Sequence, residues 1–358
     1  MQVKISTSPQ SILLVRLSAL GDVTLMLPVV RTIQYFWPET KITWLIGRGA
    51  FHLLEGVTGV EFIVVDKPKN IRDYKALRQL FQKRQFDVLL ATQASLRTNL
   101  IYPLINAKLK LGFDRKRARD GQWLVTQQRI PFKEQHLMDS FFSFIEMLGL
   151  HEKVIRWDLP LNQADHQWAE TIVNEYPVAE PLVAINPGAS KKERNWSAAH
   201  YVRVIKQAQT RWQANFVLTG SNSKIEQQLA QEIMTLLPNS KIMNLTGQST
   251  PKQLAALLQR VKLLIAPDTG PVHIAVAMGT PVVGLYAVAP PELSGPYLSP
   301  DLVVNCYPQA IKTILDKDPG RIPWGTRVHH GEPMNLIKPD DVMNKLTEVL
   351  GAGAAPNI

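Results

Sequence analysis

Short runs rich in Val, Ile and Leu alternate with longer segments of helical periodicity, and this whole pattern occurs twice in one chain. Near-continuous apolar runs suit strands buried on both faces, which is the situation of a parallel sheet joined by crossover helices. The first set of candidate strands is ILLVRL (12–17), KITWLIG (41–47), EFIVVD (61–66), FDVLLAT (86–92) and KLKLGF (108–113). The second is PLVAINP (181–187), NFVLTG (215–220), KIMNLTG (241–247), KLLIAPD (262–268) and PVVGLY (281–286). A helix is expected over Gln135–Leu150, followed by a polar linker to about Pro181 that holds Pro160, Asn162 and Pro177. Val342, Leu346 and Leu350 fall at i, i+4 and i+8, predicting a closing helix over Pro339–Leu350.

The expectation is therefore an α/β chain of two doubly wound, Rossmann-like domains facing a cleft. Residues 1–170 form the first and 178–335 the second, with 336–358 as a C-terminal helix and tail able to return to the first domain. Ligands of such sheets bind beyond the carboxyl ends of the strands, so function is expected on the loops that follow them.

Charge and cysteine content narrow the setting. The net charge is +10, and residues 1–150 hold 21 basic against 12 acidic side chains, so an anionic partner is expected at the first half. A lone Cys306 leaves no intrachain disulfide, fits a reducing compartment, and reads as apolar filler. The start MQVKISTSPQ lacks the cationic and apolar regions of an export signal, and the GAGAAP tail is expected to fray. The longest stretch without Asp, Glu, Lys or Arg, between Asp268 and Glu292, is interrupted by Gly279, Thr280 and Pro281. It reads as a helix and a buried strand in place of a membrane span, and the chain as cytoplasmic.

Three of the loops carry unusual residues. Ser18-Ala19-Leu20-Gly21-Asp22 follows the first strand, where Asp22 is either the N-cap of a helix or a general base at the cleft. Asn186 to Trp196, with Gly188, Ser190, Lys191, Lys192 and Arg194, combines a flexible backbone, a hydroxyl and cations suited to a diphosphate. Ala266 to His273 places Asp268, Thr269 and Gly270 at a strand-to-helix junction, where they either cap the helix or face an anion at its N-terminus. Neither a G-x-G-x-x-G dinucleotide fingerprint nor a G-x-x-x-x-G-K-[ST] phosphate loop is present at these places.

Taken in order, ILLVRLSALGD, LGFDRKRARDG, NPGASKKERNW, APDTGPVHIAVAMGTPVVGLY and the terminal MNLIKPDDV resemble glycosyltransferase family 9, the bacterial lipopolysaccharide heptosyltransferases of the two-domain GT-B fold. The resemblance implies inverting transfer of a heptose from ADP-heptose to the lipopolysaccharide inner core, with no metal or other cofactor. It places the family's aspartate on Asp22 and its cation on Arg194. It also implies donor contacts by Gly188, Ser190, Lys191, Lys192, Glu226, Asp268, Thr269, Gly270 and His273. Ser18, Gln93, Arg115 and Arg119 fall on the acceptor side, and the acceptor is a lipid-linked, anionic saccharide at the cytosolic face of the inner membrane. Arg115, Lys116, Arg117 and Arg119 are then expected to contact that membrane.

The chain departs from the family pattern in places. Ala287-Val288-Ala289-Pro290-Pro291 stands where relatives have Gly-Pro-Thr-Asp-Pro, Ala91 and Ala94 stand where relatives have Asp and Gly, and Arg194 stands for a commoner lysine. Two other readings share the architecture: a nucleotide-sugar epimerase, and a binding protein that has lost catalysis. Asp316-Lys317-Asp318 reads as a surface turn, His329-His330-Gly331-Glu332 as an exposed loop, and the 114–120 cluster as saccharide-directed, because no aromatic residues interleave it as in nucleic-acid binding.

Overall fold

The computed structural model describes residues 8–238 and 240–351, so the tail beyond Gly351 and the first seven residues lie outside the described part. The chain divides after Pro160 into two compact units. In the first, β1 (Ser11–Val15), β2 (Lys41–Gly47), β3 (Val60–Val65), β4 (Gln85–Leu90), β5 (Asn106–Gly112) and β6 (Gln128–Arg129) form one sheet in the order β3-β2-β1-β4-β5-β6. In the second, β7 (Leu182–Ile185), β8 (Asn215–Leu218), β9 (Ile242–Asn244), β10 (Leu263–Pro267), β11 (Val282–Tyr286) and β12 (Val304–Asn305) run β12-β11-β10-β7-β8-β9. Every pairing is parallel. Both sheets thus have the doubly wound order in which the winding direction reverses between the first and fourth strands of the unit.

The central strands are apolar because both faces are covered. Leu13, Val15, Leu45 and Leu89 pack with Phe81 and Phe86 in the first unit, and Val183, Ile185, Phe216 and Ile265 pack with Tyr201 and Ile205 in the second. Each fully buried leucine or valine of this kind contributes about 1.5–3 kcal/mol of transfer free energy.

Two boundaries differ from the sequence expectation. Residues 163–173, expected as polar linker at the end of the first domain, instead form the helix Gln163–Val173, which packs on the helix Pro251–Leu258 and belongs to the second unit. Its Ala169 and Ile172 are buried, and Glu170 pairs with Arg260 at 2.7 Å. The closing helix covers Pro339–Leu350 as expected, yet it stays with the second unit in place of returning to the first. It packs on Ala198–Trp212, burying Val342 and Leu346 in that unit's core. The Arg203–Asp340 pair and the bond from Trp212 Nε1 to the Gly351 carbonyl, both 3.1 Å, fasten its two ends.

Candidate active site

The winding reversal of the first unit lies between β1 and β4, and the chain leaving those strands holds Arg16 to Ala19 and Thr92 to Ser95. The helix Leu20–Phe36 begins at once, so Asp22 sits in its first turn and is not the N-cap; Ala19 occupies that position. Asp22 Oδ2 accepts the Ala19 N–H at 2.9 Å and is paired with the Arg16 guanidinium. Arg16 also donates to the Thr92 carbonyl and lies 5.1 Å from the centre of the Phe141 ring. With 11% of its side chain exposed against 24% for Asp22, Arg16 is the buried anchor and the carboxylate the accessible group.

Gln93 closes the same corner. Its Oε1 accepts the Leu17 N–H at 2.7 Å and the Ser18 N–H at 3.3 Å, and its Nε2 lies 3.5 Å from Ser18 Oγ. The buried Gln122 holds the next layer by donating to the carbonyls of Ala91 and Gln93 at 2.9 and 3.1 Å. Asp22, Ser18 and Gln93 are therefore brought together. Arg115 and Arg119 are exposed on the segment after β5, which Asn99 links to the β4 loop through its 2.8 Å bond to the Arg119 carbonyl. Arg117 is not an exposed membrane contact. It pairs with the buried Asp114 and donates to Ser140 Oγ at 2.6 Å and the Pro131 carbonyl at 2.8 Å, which makes it a strut of this loop.

In the second unit the reversal falls between β7 and β10, and both loops singled out in the sequence start there. Asn186 is fully buried, and its Nδ2 donates to the Gly188 carbonyl at 2.7 Å, while Ala189 N–H donates to Asn195 Oδ1 at 2.8 Å. These bonds hold the loop folded over Trp196, whose Nε1 reaches the Ile337 carbonyl at 3.1 Å. Arg194 donates to the Asp268 carbonyl at 3.1 Å and lies 3.3 Å from Asp268 Oδ2, while its Nε has no hydrogen-bond partner among the described residues. Ser190, Lys191 and Lys192 are exposed.

Asp268 does not cap the helix Gly270–Ala277. It holds Arg194 and accepts from Ser294 Oγ at 3.1 Å. Thr269 is at the N-cap position without a side-chain cap bond, Gly270 and Pro271 form the first turn, and His273 is buried one turn further on. Tyr286 donates to the Ser294 carbonyl at 2.9 Å, and burial beside Asp268 pushes its phenol well above the ordinary range, so it stays a neutral donor.

Both oxygens of Glu226 are taken, by Ser221 N–H at 2.8 Å and Oγ at 2.6 Å and by Ser223 Oγ at 3.1 Å. The carboxylate thus shapes the turn at the head of Lys224–Thr235. A Cβ at Gly188 would come within 2.6 Å of Glu226 Cγ, so this residue must be glycine for the loop to close on the helix. Arg16, Thr92, Gln122 and Ser294 were not singled out in the sequence, because an arginine ending a strand and a serine beyond a proline turn carry no local signal of their partners.

The remaining polar motifs have structural occupations. His329 pairs with Glu193 at 3.1 Å, and Glu193 is held below the ordinary carboxylate range by a backbone hydrogen bond and by that histidine. Asp318 accepts from Gly320 N–H at 2.9 Å in a turn. Cys306 is half-buried against the second core, and burial raises its thiol. Ala287, Val288 and Ala289 are buried, so the departure from the Gly-Pro-Thr-Asp-Pro pattern places apolar core residues there.

Two doubly wound units with polar constellations at both winding reversals are the GT-B architecture, which by itself does not separate a transferase from an epimerase. The model of glycosyltransferase family 9 (heptosyltransferase) matches residues 74–314, and the chain belongs to that family. It is 33% identical over 344 residues to the lipopolysaccharide core heptosyltransferase OpsX of Haemophilus influenzae, covering 96% of this chain and 97% of that one. Among solved structures it is similar to a family 9 glycosyltransferase from Veillonella parvula, with a TM-score of 0.75, 21% identity and 98% of both chains covered. It is also similar to the Escherichia coli ADP-heptose lipopolysaccharide heptosyltransferase II, with a TM-score of 0.69, 20% identity, and 95% and 98% covered. Family membership places the chain with the transferases and not with the epimerases.

Proposed function

We propose that this enzyme transfers a heptose from ADP-heptose to an anionic, lipid-linked saccharide of the lipopolysaccharide inner core, with inversion at the anomeric carbon. The acceptor hydroxyl attacks that carbon as its bond to the diphosphate oxygen breaks; the bonding pair leaves with ADP, and Asp22 takes the hydroxyl proton. Arg194 neutralises the departing diphosphate, with Ser190, Lys191, Lys192 and the N–H groups at the start of Gly270–Ala277 as further donors. Gly188 and Glu226 shape the donor loop, Asp268 aims Arg194, and Thr269 and His273 complete that wall. Ser18, Gln93, Arg115 and Arg119 belong to the acceptor side.

The observation that carries this reading is the pair of opposite charges at the two winding reversals, an accessible carboxylate anchored by Arg16 and a cation anchored by Asp268. No helix among the described residues is long and apolar enough to cross a membrane. The reading places the enzyme in the cytoplasm, at the cytosolic face of the inner membrane where its acceptor stands. Incubation with ADP-heptose and a defined inner-core acceptor, with product mass and anomeric configuration as readouts, tests the proposal. Retention of configuration would refute the single displacement, and release of ADP without a heptosylated product would refute the acceptor.

A further inference from the structure

Four large apolar side chains are exposed on one edge of the first unit: Leu96 at 60%, Leu100 at 50%, Trp123 at 38% and Leu124 at 79%. They belong to two short helical turns, Leu96–Asn99 after β4 and Gln122–Leu124 between β5 and β6. The turns are tied together, since Leu96 N–H donates to Asp120 Oδ2 at 2.9 Å and Asn99 Nδ2 donates to the carbonyls of Arg119 and Asp120 at 2.8 and 3.0 Å. Leu100 N–H returns to the Leu96 carbonyl at 3.1 Å, which puts the two leucines one helical turn apart on the same side. Grouped apolar side chains of this size in water mark an interaction surface.

The surroundings say what it meets. Arg97 lies in the first of these turns and Arg119 is tied beside it, while Arg115 and Lys116 are exposed a few residues earlier in the same segment, Lys116 with its Nζ 4.3 Å from the centre of the Phe132 ring. Asp114 is neutralised by Arg117, and the exposed Asp120 keeps its charge while accepting the Leu96 N–H, so four exposed cations outnumber one carboxylate and the edge is positive on balance around an apolar centre. Leucines and a tryptophan ringed by cations match the boundary between the headgroups and acyl chains of an anionic bilayer. The same turns adjoin the acceptor-side corner, because Gln122, which immediately precedes Trp123, holds the Gln93 carbonyl.

We propose that this edge is the membrane-docking surface: Leu96, Leu100, Trp123 and Leu124 enter the bilayer boundary, and Arg97, Arg115, Lys116 and Arg119 meet its phosphates. The inference rests on the reading that the acceptor is lipid-linked, and it adds where and how the enzyme sits on that lipid surface. Docking here holds Gln93 and Asp22 close to saccharides that project only a short way from the membrane.

The test uses the full chain and vesicles of phosphatidylcholine with and without phosphatidylglycerol. Wild-type protein is expected to bind the anionic vesicles, and Leu100→Ser/Leu124→Ser to lower partitioning at least about tenfold at low and high salt alike. Arg97→Gln or Lys116→Gln is expected to lower it roughly fivefold at low salt, with little effect at high salt. Brominated acyl chains are expected to quench Trp123 emission, read as the difference from Trp123→Phe. Heptose transfer to a delipidated saccharide is expected to survive the double leucine variant, while transfer to an acceptor embedded in vesicles falls. Unchanged partitioning of that variant, or no quenching of Trp123, would overturn the docking surface. Self-association abolished by the same substitutions, without vesicle binding, would do so too by making the edge a contact between copies. If neither acceptor receives heptose, the acceptor reading fails, and the vesicle and quenching results still decide the docking surface by themselves.

Discussion

The two winding reversals of this enzyme use one topology to opposite electrostatic ends. In the first unit the buried partner is a cation, Arg16, and the accessible partner is the carboxylate of Asp22. In the second the buried partner is a carboxylate, Asp268 at 11% side-chain exposure, and the more accessible one is Arg194 at 17%. In both, the anchor is held by further bonds to its own unit, Arg16 by the Thr92 carbonyl and Asp268 by Ser294. A charge needs a counter-charge to be held near a protein interior, and under the proposed function the more exposed member of each pair is the one that acts, as a base in the first unit and as an anion receptor in the second.

The largest effect should come from removing the accessible carboxylate. Asp22→Asn keeps size and hydrogen bonding, so turnover is expected to fall about 10² to 10⁴-fold with donor affinity little changed. Near-normal turnover would break the comparison at its first member. Arg194→Ala is expected to weaken donor binding and turnover together, by roughly 10² to 10³-fold in kcat/KM, with Arg194→Lys recovering part because charge returns without the planar fork. The comparison would fail on its second member if donor affinity stayed at the wild-type level.

The anchors sharpen it further. Arg16→Met and Asp268→Asn are each expected to cost about tenfold, the first in turnover alone and the second mainly in donor KM. If both moved the same constant, the two units would not have separate tasks. Ser294→Ala removes one hydrogen bond to Asp268 and should raise donor KM only about three- to fivefold, with Ser294→Thr restoring it.

The smallest difference concerns acid. Burial, Lys338 and Arg203 lower the pKa of His200, whose ring lies beside that of Trp196 with centres 5.0 Å apart and planes inclined by 37°. The folded state therefore favours the neutral ring: its contribution is present above the ordinary histidine pKa and is lost as pH falls below about 6.5. Melting followed against pH should show this slope, and His200→Gln should flatten it.

How much of this was legible in the sequence depended on whether the signal was local. The ten longer strands were, since each falls in a segment carrying Val, Ile or Leu, buried throughout in β7, β8, β10 and β11 and partly exposed in β3, β5 and β9, and the helix Pro339–Leu350 followed from three apolar side chains at helical spacing. β6 and β12 were not, because two-residue edge strands such as Gln128–Arg129 have no room for a pattern. Loop identity carried Asp22, Arg194 and Asp268, but their partners come from strands far away in sequence. Arg16 looked like the end of a strand, and Arg117 like one more surface cation, until Asp114 and Ser140 closed on it.

The packing of Gln163–Val173 on Pro251–Leu258 decides where the molecule can be dissected. A fragment begun at residue 178, where the sequence predicts the second domain to start, would leave behind that helix and uncover the surface that Ala169 and Ile172 now shield. Begun at Leu161, it would retain its own lid, so the second unit is best expressed alone from there, and the shorter version should aggregate.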